Sequence, residues 1–150
     1  MTKTKTTSRA SGEADKNKQV QVAALCYRET GKDEKDVLLI TSRETKRWII
    51  PKGWPIDGLK NSEAALQEAW EEAGVKKALV AKKPLGHFDY PKRLANGKTA
   101  EIETEVFLAR VERMSESYPE DDERTRKWVS PCEAANLVQE PGLKSLLLAL

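Results

Sequence analysis

The stretch from Gly53 to Val75, GWPIDGLKNSEAALQEAWEEAGV, constrains this chain more than any other. A Gly/Pro/Trp turn opens it, a short polar loop follows, and a single helix ends at Gly74. The helix carries Glu68, Glu71 and Glu72. At about 100° per residue, Glu72 lies about 40° to one side of Glu68 and Glu71 about 60° to the other, so the carboxylates share a sector of about 100°. Leu66, Ala69, Trp70 and Ala73 take the opposite side and are expected to cover a core. Ala64 and Ala65, one turn earlier, lie over the acidic sector and are too small to obstruct it. Like charges at i, i+3 and i, i+4 repel. Either the acidic face is simply solvated, or a cation compensates it. A hard divalent metal suits an oxygen-only set.

The length of 150 residues suits one domain that buries a core without staples. Order is expected to begin near Val20, after a disordered tail of residues 1–18 rich in Thr, Ser, Lys and Asp, leaving 19–150 as the domain. The net charge of only +2 gives no global case for nucleic acid, so an anion site must come from local clustering. No apolar run approaches the roughly 20 residues of a membrane span. The first residues lack an apolar signal core, and a cytoplasmic location is expected. Two cysteines, Cys26 in an expected strand and Cys132 in an expected helix, do not make a disulfide framework. Nothing in the sequence speaks to oligomeric state.

Along the chain, VQVAALCYR from Val20 is expected to form a partly buried strand, ETGKDEKD a hairpin loop, and Val37 to Thr41 a short apolar strand. WIIP is a further short strand stopped by Pro51. Beyond the helix, Val75 to Lys83 and Leu85 to Tyr90 read as extended, and Asn96-Gly97 marks a hairpin turn within the basic run Lys92 to Lys98. From Ala100 to Val111, Ile102, Thr104, Val106 and Leu108 alternate with Glu101, Glu103 and Glu105. WVS is a last short strand. Ser130, Pro131 and Glu133 form an N-cap, N1 and N3 start signal. Pro141-Gly142 breaks that helix ahead of an apolar helical tail. The element count gives an α+β fold, a mixed sheet sandwiched by helices.

Oxygen ligands of this kind hold Mg²⁺ or Mn²⁺ and bridge to phosphates, so the natural substrate is a di- or polyphosphate. Cations to balance it recur in loops beside the expected strand ends: Arg43, Arg47 and Lys52, then Lys92 and Arg93, then Arg124, Arg126 and Lys127. No Gly-rich phosphate loop with its Lys-Ser/Thr is present, there is no Cys/His zinc set, and the lone His87 argues against a His-based triad.

With Gly53, Glu68, Ala69, Glu71, Glu72, Gly74 and Val75 at their spacings, the stretch resembles the Nudix box, the signature of hydrolases of nucleoside diphosphates linked to another moiety. Two box positions depart. Leu59 replaces the first glutamate and Gln67 the arginine before the helical glutamate, as removal of an internal ion pair would look. Between about Val20 and Leu137, RETKRWIIPKGW, EAALQEAWEEAGV and RTRKWVSPCEA resemble the branch containing diphosphoinositol polyphosphate phosphohydrolases, which also cleave diadenosine polyphosphates.

The resemblance implies an α/β/α sandwich with a catalytic loop-helix-loop, and a small-molecule polyphosphate as partner. It implies metal contacts from Glu68, Glu72 and Glu71, with a backbone carbonyl in the Lys52–Gly53 turn completing the shell. Glu71 is the expected general base and Glu68 its rival. Ser42, Arg43, Lys52, Gly53, Lys92 or Arg93, and Arg124 or Arg126 fall where that branch holds substrate phosphate. Glu101, Glu103 or Glu105 could add a ligand or simply form an exposed strand face. Trp54, Phe88, Tyr90 and Trp128 either stack on a base or pack. Two rivals stand beside the enzyme: a catalytically impaired Nudix-fold ligand-binding module, and a nucleic-acid-binding domain that uses the basic loops.

Overall fold

The longest strands set the frame of the molecule, and the computed structural model describes residues 18–150. The expected disordered tail therefore lies outside the described residues, except for Lys18, which opens the first strand. In chain order the strands are β1 (Lys18–Gly31), β2 (Glu34–Thr41), β3 (Trp48–Ile49) and β4 (Lys52–Gly53). Helix α1 (Asn61–Ala73) follows, then β5 (Val75–Val80), β6 (Gly86–Arg93), β7 (Thr99–Met114) and β8 (Arg126–Val129). Two short helices close the chain, α2 (Pro131–Leu137) and α3 (Pro141–Leu148).

Strands β3, β2, β1, β7 and β5 lie side by side, with β4 paired to β1, β6 to β7 and β8 to β2. The β1–β7 pair is parallel, Lys18–Tyr27 against Glu101–Arg110, and the other pairs are antiparallel, so the sheet is mixed. Val22 to Cys26 are all fully buried, although a partly buried strand was expected. Both faces of β1 are covered, and an apolar run rather than an alternation is what such a strand requires. Val22, Ala24 and Cys26 share one core with Phe107, Ala109 and the alanines of α1. Ala23 and Leu25 share the other with Ile102, Val106, Phe88, Leu143 and Leu147. The result is the expected α/β/α sandwich. Among the described residues no helix is long and apolar enough to cross a membrane.

Helix α1 buries a different stripe from the one expected. Ala64, Ala65, Ala69 and Ala73 are fully buried, and Glu72 is 7% exposed, while Leu66 and Trp70 are only half-buried. Glu72 lies about 20° round the helix from Ala65, inside the buried arc. Four methyl-sized side chains let the helix approach β1 closely, and the large Leu66 and Trp70 are left at the margin. The helix ends at Gly74 in the left-handed conformation (φ 73°), whose N–H returns to the Ala69 and Trp70 carbonyls. A Cβ there would also fall 2.6 Å from the Arg126 guanidinium, so only glycine fits.

Other boundaries move for local reasons. The ETGKDEKD loop shrinks to a turn at Lys32–Asp33 with Asp33 at φ 61°, and its flanking charged residues extend the strands. Strand β6 runs on to Arg93, because Lys92 and Arg93 find partners in Ala100 and Thr99 across the expected Asn96-Gly97 turn. The stretch from Val75 is strand only to Val80. Pro141 does not merely break a helix; it sits in the first turn of α3, where its missing N–H costs nothing. The Ser130 cap forms as expected and accepts the Glu133 N–H.

Candidate active site

Strand β4 and the last two turns of α1 build the centre of the site. Val22 and Ala23 pair with Gly53 and Lys52, which fixes these two residues beside the α1 acids. A Cβ at Gly53 would sit 2.6 Å from both carboxylate oxygens of Glu68. The bare Cα of glycine is therefore the floor on which the Glu68 carboxylate rests. Glu72 reaches the same strand: its Oε1 accepts the Lys52 backbone N–H at 3.2 Å.

Burial raises the Glu68 carboxyl to about 7, and the neighbouring charges of Glu72 and Glu71 add to the effect. Burial also raises Glu72, against the opposing charges of Arg124 and Lys52. Lys52 is lowered, first by burial, with Glu72 acting in the opposite sense. This is a carboxylate set with more negative charge than its surroundings neutralise. Its donors are all oxygen and it has a glycine-floored cradle, the chemistry that accepts a hard divalent cation. Among the described residues no group of three or more His, Cys, Asp or Glu side chains stands close enough together to hold a metal ion as it is.

One of the two departures from the box, Gln67, bears directly on Glu71. The Gln67 side-chain amide donates to Glu71 Oε2 at 2.8 Å across one helical turn. Gln67 thus supplies Glu71 with a neutral hydrogen bond where the box arginine would bring a charge. Leu59 is 41% exposed and Gln67 is also exposed, so the two replaced positions do not form a buried pair. Lys60 N–H bonds Glu63 Oε1 at 2.8 Å, one half of a capping box, since a lysine side chain has no acceptor to offer in return.

A cavity of about 500 Å³ opens beside this centre. It is lined by Ser42, Arg43, Lys52, Lys92, Arg93 and Arg124, which the sequence scatters over four segments. Glu44, Arg47, Ile49, Tyr90 and Pro91 complete its walls. The three acids do not line it, but Lys52 and Arg124 do, and both face Glu72. The Lys92 ammonium lies 5.6 Å from the centre of the Trp54 ring, which is 45% exposed.

Arg124 is a buried latch. Its Nε donates to Glu120 at 2.7 Å, its Nη1 to the Thr41 carbonyl at 3.1 Å, and its Nη2 lies 3.6 Å from Glu72. Arg126 does not reach the cavity. Its Nη1 donates to the Ala73 and Ser115 carbonyls, both at 2.9 Å, and its guanidinium stacks on Tyr118. The carbonyls at the end of α1 attract a guanidinium more strongly than open solvent does. Of the two arginines, Arg124 borders the cavity and Arg126 serves the helix end.

On β7, Glu105 accepts from Asn61 at 2.9 Å at the start of α1, while Glu101 is exposed. Phe88 and Tyr90 are core residues, and Trp128 lies under Arg28 at 4.3 Å, so the aromatic residues mostly pack. Glu140 carried no local signal in the sequence, yet it binds Arg47, ninety-three residues away, at 2.7 Å.

The family model described as the NUDIX domain matches residues 17–150. The chain is 37% identical over 125 residues to "Nudix hydrolase 21, chloroplastic" of Arabidopsis thaliana, which covers 82% of this chain and 60% of that protein. It is 32% identical over 122 residues to "Diphosphoinositol polyphosphate phosphohydrolase 3-alpha" of Mus musculus, covering 79% and 68%. The chain spans less than two thirds of the length of several of its Arabidopsis relatives. The crystal structure of the C. elegans Ap4A hydrolase superposes with a TM-score of 0.62 at 21% identity, over 87% of this chain and 93% of that one, a likeness of fold. The chain belongs to the Nudix family.

Proposed function

We propose that this Nudix family member hydrolyses a pyrophosphate bond in a polyphosphorylated small molecule of the diphosphoinositol polyphosphate or diadenosine polyphosphate type. The observation that carries the reading is the Glu68 carboxylate seated on the bare Cα of Gly53, within a set of acids short of compensating charge. Glu68 and Glu72, with Glu71 and the Lys52–Gly53 backbone beside them, would hold Mg²⁺ or Mn²⁺. When bound, that ion polarises phosphoryl oxygens and lowers the pKa of water. The names of the mouse relative and of the C. elegans structure support both substrate types for those proteins.

The residues of this chain do the rest. Gln67 holds the Glu71 carboxylate in place, and Glu71 takes the proton from the attacking water; Glu68 is the rival for that role. Ser42, Arg43, Lys92 and Arg93 orient the phosphate chain in the 500 Å³ cavity. Arg124, itself part of the cavity wall, keeps Glu72 pointed at β4.

A second reading, a binding module with impaired catalysis, has one observation in its favour: Glu72 is already engaged by Arg124 and the Lys52 N–H. Phosphate release from diphosphoinositol polyphosphates and diadenosine polyphosphates, with and without Mg²⁺ or Mn²⁺, separates the two. Metal-dependent turnover abolished by Glu71→Gln supports the enzyme. Tight binding without turnover of any of these substrates overturns it.

A further inference from the structure

The cavity holds fewer available positive charges than its lining suggests. Arg124 is bound to Glu120 and Glu72, Arg43 lies 3.3 Å from Glu123, and Arg47 Nη1 lies 2.7 Å from Glu140 Oε2. In the last of these pairs the Glu140 side chain is only 10% exposed and that of Arg47 29%. Glu140 is the residue before Pro141 at the start of α3 and is held there by the packing of α3 on β6: a Cβ at Gly142 would fall 2.6 Å from Phe88. The carboxylate is held by its ion pair with Arg47.

Arg47, Tyr90 and Pro91 also line a second, smaller cleft of about 270 Å³. Its remaining walls are Asp89, Gln139, Glu140 and Pro141. The two clefts share Arg47, Tyr90 and Pro91, with Glu140 on the second cleft only, and they differ in charge. One is rich in Lys and Arg, the other has Asp89 and Glu140 against the single Arg47, with Tyr90 and two prolines for apolar surface. A phosphate entering the second cleft would meet two carboxylates at close range, and like-charge contact of that kind is a strong means of rejection. An uncharged, flat group meets a tyrosine, two prolines and an amide.

Building on the hydrolase reading above, we propose that the Arg47–Glu140 pair is a specificity gate that admits a short linear polyphosphate ending in an uncharged group and rejects a ring phosphorylated on all sides. The substrate class is then a nucleoside or dinucleoside polyphosphate, with the phosphate chain in the larger cavity and the neutral end group against Tyr90, Pro91 and Pro141. Glu140 acts by holding Arg47 and by its own charge, and it takes no part in proton transfer.

The test compares Glu140→Gln with wild type in binding and in turnover. Binding is read by calorimetry in metal-free buffer with linear tripolyphosphate and with inositol hexakisphosphate, so that it does not depend on hydrolysis. Wild type is expected to prefer the linear ligand. Glu140→Gln should gain at least tenfold in affinity for the ring ligand while changing little toward the linear one. The ratio of kcat/KM for a diphosphoinositol polyphosphate to that for diadenosine tetraphosphate should rise by a similar factor. A wild type that prefers the ring ligand, or a variant that shifts both ligands equally, overturns the gate. Absence of turnover on both substrates overturns the hydrolase reading, and the binding ratio still decides the gate. Asp89→Asn changes an exposed residue of the same cleft and should shift the ratio about threefold in the same direction; it decides the matter if Glu140→Gln does not fold.

Discussion

The side-chain amide of Gln67 donates a hydrogen bond of 2.8 Å to Glu71 Oε2, one turn further along the same helix. A neutral donor fixes the direction of the carboxylate without placing a charge beside it. Gln67→Ala is expected to reduce kcat about tenfold, the usual scale for a partner that orients a reacting group, with KM and melting temperature little changed. Gln67→Glu, which places a like charge against Glu71, should reduce it further. Steady-state kinetics on the three proteins check this, and a Gln67→Ala variant with wild-type kcat would remove Gln67 from the mechanism.

Gly53 faces Glu68 with no room for a methyl group, since a Cβ would lie 2.6 Å from both carboxylate oxygens. Its backbone is an ordinary strand pair to Val22, so alanine imposes no conformational strain. Gly53→Ala should therefore displace Glu68 and leave the fold intact. A loss of at least about 100-fold in rate is expected, the scale of an ångström-sized misplacement, with melting lowered by only a few degrees. Activity within tenfold of wild type would mean that Glu68 can move without consequence.

Much of this site can be read from the sequence because it is local. The helix from Asn61 to Ala73, its glycine stop and the three acids all follow from spacing within 23 residues. The Ser130 cap and the Asn96-Gly97 turn are local too, and both are found. What the sequence hid depends on neighbours far along the chain. Glu72 belongs to the buried stripe because β1 and β4 lie under it, and no helical wheel contains those strands. Arg124 and Arg126 are two residues apart, a spacing that would put both on one face of a strand, but Arg124 precedes β8 and reaches Glu72 while Arg126 opens β8 and reaches the Ala73 carbonyl. Glu140 meets Arg47 only because α3 folds back on β6.

Two of the four arginines that border the cavity, Arg124 and Arg93, should respond differently to removal. The side chains of Arg124 and Glu72 are only 7% and 9% exposed, so Arg124→Met strands Glu72 and Glu120 without their partner. Breaking such a pair from one side typically costs about 3–5 kcal/mol, so the variant should melt well below wild type. Arg93 is exposed at the mouth, and Arg93→Met should raise KM about fivefold while leaving kcat and melting unchanged. Chemical denaturation and kinetics on both variants check the contrast. Equal stability of the two would refute the latch.

Alkaline pH should weaken the fold through two buried acids in the sheet. Cys26 is fully buried between β1 and α1, and loss of solvent raises its thiol from 9.0 to about 12. Tyr90, whose hydroxyl donates to Gln21 at 2.7 Å, is raised to about 12 chiefly by burial. Both groups keep their protons in the folded chain at pH values where the unfolded chain has lost them. The unfolded state binds fewer protons, so stability is full below about pH 9 and falls as pH rises toward 12. Cys26 alone contributes a slope of up to about 1.4 kcal/mol per pH unit in that window. Denaturant titrations between pH 8 and 11 in reducing buffer should show wild type losing stability more steeply than Cys26→Ala. Parallel slopes would mean that the Cys26 thiol ionises in the folded protein as readily as in the unfolded one.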